Sequence, residues 1–130
     1  MVEKLKTGTT CIGLIFKDGV MLAADRRATG MSVTPGFVKI FDISKNILAT
    51  MAGHAADCQL TMRVIQGELK LLELKSERSA RVKEAAMILN SIQYYALRSQ
   101  GSIIGLIVGG YDSKEGFSLF DLGPDRKSVV

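Results

Sequence analysis

The spacing of apolar residues changes twice along these 130 residues, and those changes limit the possible folds more than any single motif. Residues 9–16 (TTCIGLIF) and 20–25 (VMLAAD) are short β-rich runs. Between them, Lys17-Asp18-Gly19 supplies the turn chemistry of a tight hairpin. A loop at 28–36, broken by Gly30, Pro35 and Gly36, leads to further strands at 37–43 (FVKIFDI) and 47–52 (ILATMA). The period then becomes helical. A first helix is expected from about Ala55 to Leu74, with Leu60, Val64 and Leu71 on its apolar stripe. Gly67 weakens it locally, since glycine inside a helix costs about 1 kcal/mol against alanine. After a polar loop at Lys75–Ser79, a second helix is expected at about 80–98. Its face is Val82, Ala85, Ala86, Leu89, Ile92 and Ala96. Strands return at 102–108 (SIIGLIV) and 117–122 (FSLFDL), around a turn at Asp112–Gly116.

Strands followed by helices and then strands argue for an α+β fold, with antiparallel hairpins and helices layered on the sheet. The first strands are apolar on both faces, which suits a sheet covered on both sides. Six strands and two helices are few for that task. An edge or an uncovered surface should remain, to be closed by another chain or by further sequence.

Composition narrows the function classes. With 47% apolar and 23% charged residues, the chain is globular. Its net charge of +4 is spread without a Lys/Arg run, so a nucleic-acid partner is not indicated. No apolar stretch approaches the roughly 20 residues that span a bilayer, and the start, MVEKLKTG, lacks the apolar segment of a secretory signal. Cys11 and Cys58 read as small buried residues, one in a strand and one in a helix. Two isolated cysteines suit a reducing, cytoplasmic setting. With His54 they make a poor metal set, because structural zinc wants four clustered ligands.

One constellation carries chemistry. Cutting the Gly8–Thr9 bond would leave Thr9 with both a hydroxyl nucleophile and a free α-amine to act as its base. An unperturbed α-amine has a pKa near 8, and a neighbouring cation lowers it. Lys39 is a candidate for that cation; it lies on the strand face of Phe37, Phe41 and Ile43. Asp25, which alternation places with Met21 and Ala23, could balance its charge. Backbone N–H groups at Gly53, where the fourth strand gives way to the first helix, could receive an oxyanion. Singly, each feature has a plainer reading. Thr-Gly-Thr-Thr is a turn entering a strand, Asp25-Arg26-Arg27 a charged strand end, Lys39 an edge lysine and Gly53 a terminator.

Taken together, KTGTTCIGLIFKDGVMLAADRRATG closely resembles the start of archaeal-type proteasome β subunits, and FVKIF, ATMAGHAADCQ and LIVGGYDSKEG follow in that family's order. The resemblance implies an N-terminal-nucleophile hydrolase sandwich, a four-layer αββα arrangement of antiparallel sheets that is incomplete in this chain. It implies that residues 1–8 are a propeptide removed by autocatalysis, and that residues 9–130 are the hydrolase domain. It implies a threonine endopeptidase with Thr9, Asp25 and Lys39 catalytic and Gly53 at the oxyanion. Ala28, Thr29, Met51 and Ala55 would line the substrate pocket, and Met51 suggests an apolar preference there. No cofactor or metal is implied. The partners implied are other β-type subunits in a seven-membered ring, flanking rings of α-type subunits, and unfolded polypeptide substrates, with no nucleic acid or membrane. The alternative is a non-catalytic structural β-type subunit or a truncated, inactive form. Three departures stand out. Cys11 replaces the family's usual threonine, and the 28–36 loop is about two residues shorter. The residues 123–130 (GPDRKSVV) do not match the family's continuation, which carries a Gly-Ser-Gly-Ser loop serine, an aspartate and another serine; Ser128 is not that serine.

Overall fold

The computed structural model describes residues 11–24, 27–28, 34–35, 40–52, 55–100 and 105–122. The expected first hairpin forms: β1 (Cys11–Phe16) pairs antiparallel with β2 (Gly19–Ala24), in a register running from Cys11↔Ala24 to Phe16↔Gly19. The segment expected as loop contains a small ladder. Residues of β3 (Arg27–Ala28) pair with β4 (Thr34–Pro35). Pro35 can sit there because a two-residue ladder asks little of its missing N–H.

The main sheet holds β5 (Ile40–Ser44), β6 (Ile47–Ala52), β7 (Gly105–Asp112) and β8 (Gly116–Asp121), in that spatial order and antiparallel throughout. Helices α1 (Ala55–Ser76) and α2 (Val82–Gln100) lie between β6 and β7 in the chain, yet those two strands are hydrogen-bonded neighbours. The pattern of strand, helix and strand blocks is therefore as the periodicity predicts. Strand boundaries shift by a residue in places, and one strand end moves by four. The strand expected at 102–108 runs on through Gly109 and Gly110, and β7 ends at Asp112. The two glycines are ladder residues for a packing reason: a Cβ on Gly109 would lie 2.6 Å from Val20 Cγ1, and one on Gly110 only 2.3 Å from the Asn46 carbonyl oxygen.

Period-2 alternation divides two cores. On β6 and β7, Ile47, Ala49, Met51, Leu106 and Val108 face a cluster shared with Met62, Ile65 and Leu69 of α1 and Val82, Ala85 and Leu89 of α2. The opposite face of the sheet packs on the hairpin through Cys11, Leu22, Ile107 and Leu119. The four-stranded sheet is thus covered on both sides, whereas that cover was expected for the strands of the first hairpin. The hairpin is not: Met21 is 52% exposed on its outer face. Among the described residues there are three layers, an incomplete form of the expected four-layer sandwich. None of the described helices is long and apolar enough to cross a membrane.

The second helix buries Val82, Ala85, Ala86 and Leu89 of the face read from its sequence, with Ile92 partly buried, and the side chain of Ala96 lies outside the described residues. The first helix does not bury the stripe read for it. Leu60, Val64 and Leu71, expected on the buried stripe, point outward and are 63%, 41% and 48% exposed. Cys58, Met62, Ile65 and Leu69 are buried instead. Helix α1 carries apolar residues on both faces, so its period is clear while the choice of face depends on the sheet it meets.

The start of α2 is fixed by acids, as an N-terminus with unpaired N–H groups requires. Arg81 N–H donates to Glu84 Oε1 at 2.9 Å, one half of a capping box. Val82 N–H donates to Asp112 Oδ2 at 3.2 Å, tying the helix to the end of β7. Arg78 forms a two-pronged ion pair with Glu84 at 2.9 and 2.7 Å, which holds the Glu84 carboxyl at a pKa of about 2.

Candidate active site

The head of β1 is where the hairpin layer is tied to the main sheet. Cys11 is 1% exposed and is paired with Ala24 at the far end of β2. The Thr50 hydroxyl, on β6 and fully buried, donates to Cys11 Sγ at 3.4 Å. The Cys11 thiol in turn points to the Met51 carbonyl oxygen at 4.0 Å, a long, weak contact. Thr50 is also the ladder partner of Ile40 on β5 and of Ile107 on β7. One point in the fold therefore gathers the first residue of β1, the last of β2, the first of β5 and the end of β6.

Each predicted reactive residue neighbours one of those strand ends in the chain. Thr9 precedes Cys11 by two residues, Asp25 follows Ala24, Lys39 precedes Ile40, and Gly53 follows Ala52. Thr9, Asp25, Lys39 and Gly53 themselves lie outside the described residues, as do Gly8 and Thr29. Of the predicted pocket residues, Ala28 is paired with Thr34 and Ala55 opens α1. Met51 is 2% exposed and packs with the helix-side core. Residues without a reactive role in the sequence reading also matter here. Thr50 gave no signal beyond being a polar residue in an apolar strand, and Cys11 was read only as a small core residue. Both cysteines are buried as expected, but on opposite sides of the main sheet, Cys11 with the hairpin core and Cys58 with the helix core.

The opposite end of the sandwich has a different character. There the β5–β6 turn, the β7–β8 turn and the α1–α2 connection border a cleft of about 490 Å³, lined by Lys45, Asn46, Arg78, Arg81, Tyr111 and Asp112 among others. The Arg78–Glu84 pair sits at this end, and its role is to fix the start of α2.

The family described as "Proteasome subunit" matches residues 5–125. The chain is 35% identical to the proteasome subunit beta of Archaeoglobus fulgidus, over 98% of this chain and 62% of that protein. It is 38% identical to the proteasome subunit beta 1 of Thermococcus kodakarensis, over 87% of this chain and 56% of that protein. A plant relative, the proteasome subunit beta type-5-B of Arabidopsis thaliana, is 40% identical over 86% of this chain and 41% of its own length. The chain thus spans between 41% and 62% of these three relatives.

Proposed function

This chain belongs to the proteasome subunit family, and from that premise we propose that it is a β-type subunit of a proteasome core that hydrolyses peptide bonds with Thr9. In this reading residues 1–8 are a propeptide, and loss of the Gly8–Thr9 bond frees the Thr9 amine. That amine takes the Thr9 hydroxyl proton as the oxygen attacks the substrate carbonyl. The Lys39 ammonium keeps the amine's pKa low, so that it is a free base near neutral pH. Asp25 pairs with Lys39 and spares it an uncompensated charge. The Gly53 N–H receives the oxyanion of the tetrahedral intermediate. The protonated amine then gives its proton to the departing amine, and water releases the acyl group from Thr9.

The observation that supports this reading is the gathering of strand ends around Cys11 and Thr50. Consecutive Cα atoms are about 3.8 Å apart. Asp25 and Lys39 are each one such step from a gathered residue, Thr9 is two, and Gly53, counted from Thr50, is three. Thr9 and Gly53, 44 positions apart in sequence, are thereby tethered to one region. Ala28, Thr29, Met51 and Ala55 are proposed to line the pocket for the residue before the scissile bond. The partners proposed are further β-type subunits in a seven-membered ring and rings of α-type subunits, in the cytoplasm. Exposed Leu60, Leu74 and Met21 support an assembled state, because side chains of that size favour burial.

The test is an intact mass of the chain co-expressed with α-type subunits, together with peptide turnover. Wild type should lose residues 1–8 and turn over peptide, whereas Thr9→Ala should do neither. Unchanged turnover by Thr9→Ala would refute the mechanism. Assembly without processing or turnover in wild type would favour a structural β-type subunit.

A further inference from the structure

We infer that Thr50, acting through the Cys11 thiol, is a positioning residue for the nucleophile. This inference rests on the threonine-peptidase reading above. In that reading the reacting groups come from two layers. Thr9 and Asp25 follow the hairpin, whereas Lys39 and Gly53 follow the main sheet. Whatever fixes the hairpin relative to the sheet therefore fixes the nucleophile relative to its oxyanion donor.

Most of the contact between these layers is apolar. Leu22 packs beside Ile107 and Leu119, and Gly13 lets β1 approach them so closely that a Cβ would lie 2.9 Å from Ile107 Cγ2. Apolar burial is non-directional, so it holds layers together without setting their position along the strand. The Thr50–Cys11–Met51 chain is directional, and it lies at the open end of the hairpin. It sits on the reacting side, with Cys11 paired to Ala24 and not near the Asp18-Gly19 turn.

The chemistry of the pin is specific to sulfur. A hydroxyl-to-acceptor distance of 3.4 Å is natural for a large sulfur atom, whereas O–H···O bonds close at about 2.5–3.0 Å. A serine at position 11 would have its oxygen on a shorter bond and would leave the Thr50 hydroxyl short of a partner. Thr50 and Cys11 therefore work as a matched pair.

The test compares wild type, Thr50→Val, Thr50→Ser and Thr9→Ala in particles co-expressed with α-type subunits. Valine keeps the shape of threonine and removes the hydroxyl, leaving behind only a weak sulfur acceptor. The melting temperature of Thr50→Val should therefore stay within about 2 °C of wild type. Its kcat and its rate of Gly8–Thr9 cleavage should fall about tenfold, since misplacement by 1 Å can cost a hundredfold, while KM stays within about twofold. Thr50→Ser, which keeps the hydroxyl, should recover kcat to within about twofold of wild type. The inference is overturned if Thr50→Val keeps wild-type kcat, or if Thr50→Ser is as slow as Thr50→Val. An inactive Thr9→Ala beside a fully active Thr50→Val would remove the positioning role alone. A fully active Thr9→Ala would remove the peptidase reading and this inference with it.

Discussion

Replacing Asp112 by alanine should cost about 3 kcal/mol of stability, because one carboxylate secures two separate elements. Asp112 ends β7 and is only 5% exposed. Its Oδ1 accepts the N–H groups of Lys114 and Glu115 at 3.0 and 2.7 Å, which closes the β7–β8 turn. Its Oδ2 accepts Val82 N–H at 3.2 Å, one of the donors at the start of α2 that have no partner within the helix. Val82 is fully buried, so water cannot easily replace that acceptor. Loss of a bond to a charged group there is worth about 1.5–3 kcal/mol, and each turn N–H, being only partly buried, about 0.5–1 kcal/mol. For a chain of this size 3 kcal/mol corresponds to a fall of roughly 10 °C in melting temperature.

Asparagine separates the two roles. It can keep an oxygen toward the turn, but then presents an NH2 group to Val82 N–H. Asp112→Asn should therefore fall between wild type and Asp112→Ala, losing about half the stabilisation. Urea unfolding followed by the helical circular dichroism signal measures the order, and amide exchange at Val82, Lys114 and Glu115 locates it. A loss below about 1 kcal/mol for alanine, or an asparagine variant as stable as wild type, would refute the reasoning.

Three further outcomes follow from particular positions. Glu77, just past the end of α1, holds φ at 55°, so Glu77→Gly should raise stability by about 1 kcal/mol in a chemical melt. Gly110→Ala should destabilise by about 2 kcal/mol or more, because the new Cβ would meet the Asn46 carbonyl and Ile47 Cα, backbone that moves only if the β6–β7 ladder moves; an unchanged melting temperature would contradict this. The Glu84 carboxyl, bonded to Arg78, titrates at about 2 and not at its ordinary 4.5, so the stability it adds is present above pH 4.5 and lost as pH falls toward 2. Glu84→Gln should flatten that acid limb in a pH series of melts, modestly, since the pair faces solvent.

The residues of the candidate site were proposed from the sequence, and the structure describes only the strand ends beside them. Gly8-Thr9, Asp25, Lys39 and Gly53 each have a plainer reading singly, and only their combination and order point to a shared chemistry. The Lys17-Asp18-Gly19 turn implies that the head of β1 returns beside the end of β2, because hairpin pairing is local, while the register, with Gly19 in the ladder opposite Phe16, comes from the structure. Nothing local brings Thr50 to Cys11, and that contact is what joins the hairpin's end of the site to the sheet's. The same division explains Gly109-Gly110. Read locally these residues break a strand, yet in the fold they are where β7 must pass close to Val20 and Asn46.

What the sequence by itself determined was the succession of elements, the presence of the first hairpin and the buried part of α2, whose Ala85, Ala86 and Leu89 stand on a single apolar stripe. Only the tertiary structure decided that β6 and β7 pair across two intervening helices, as in Ile47↔Gly110, and that α1 buries Met62 and Ile65 while exposing Leu60 and Val64. The physical reason is range. Periodicity and turn chemistry depend on residues a few positions apart, whereas an element apolar on two faces is oriented by the surface it meets, and that surface is built from strands far away in the chain.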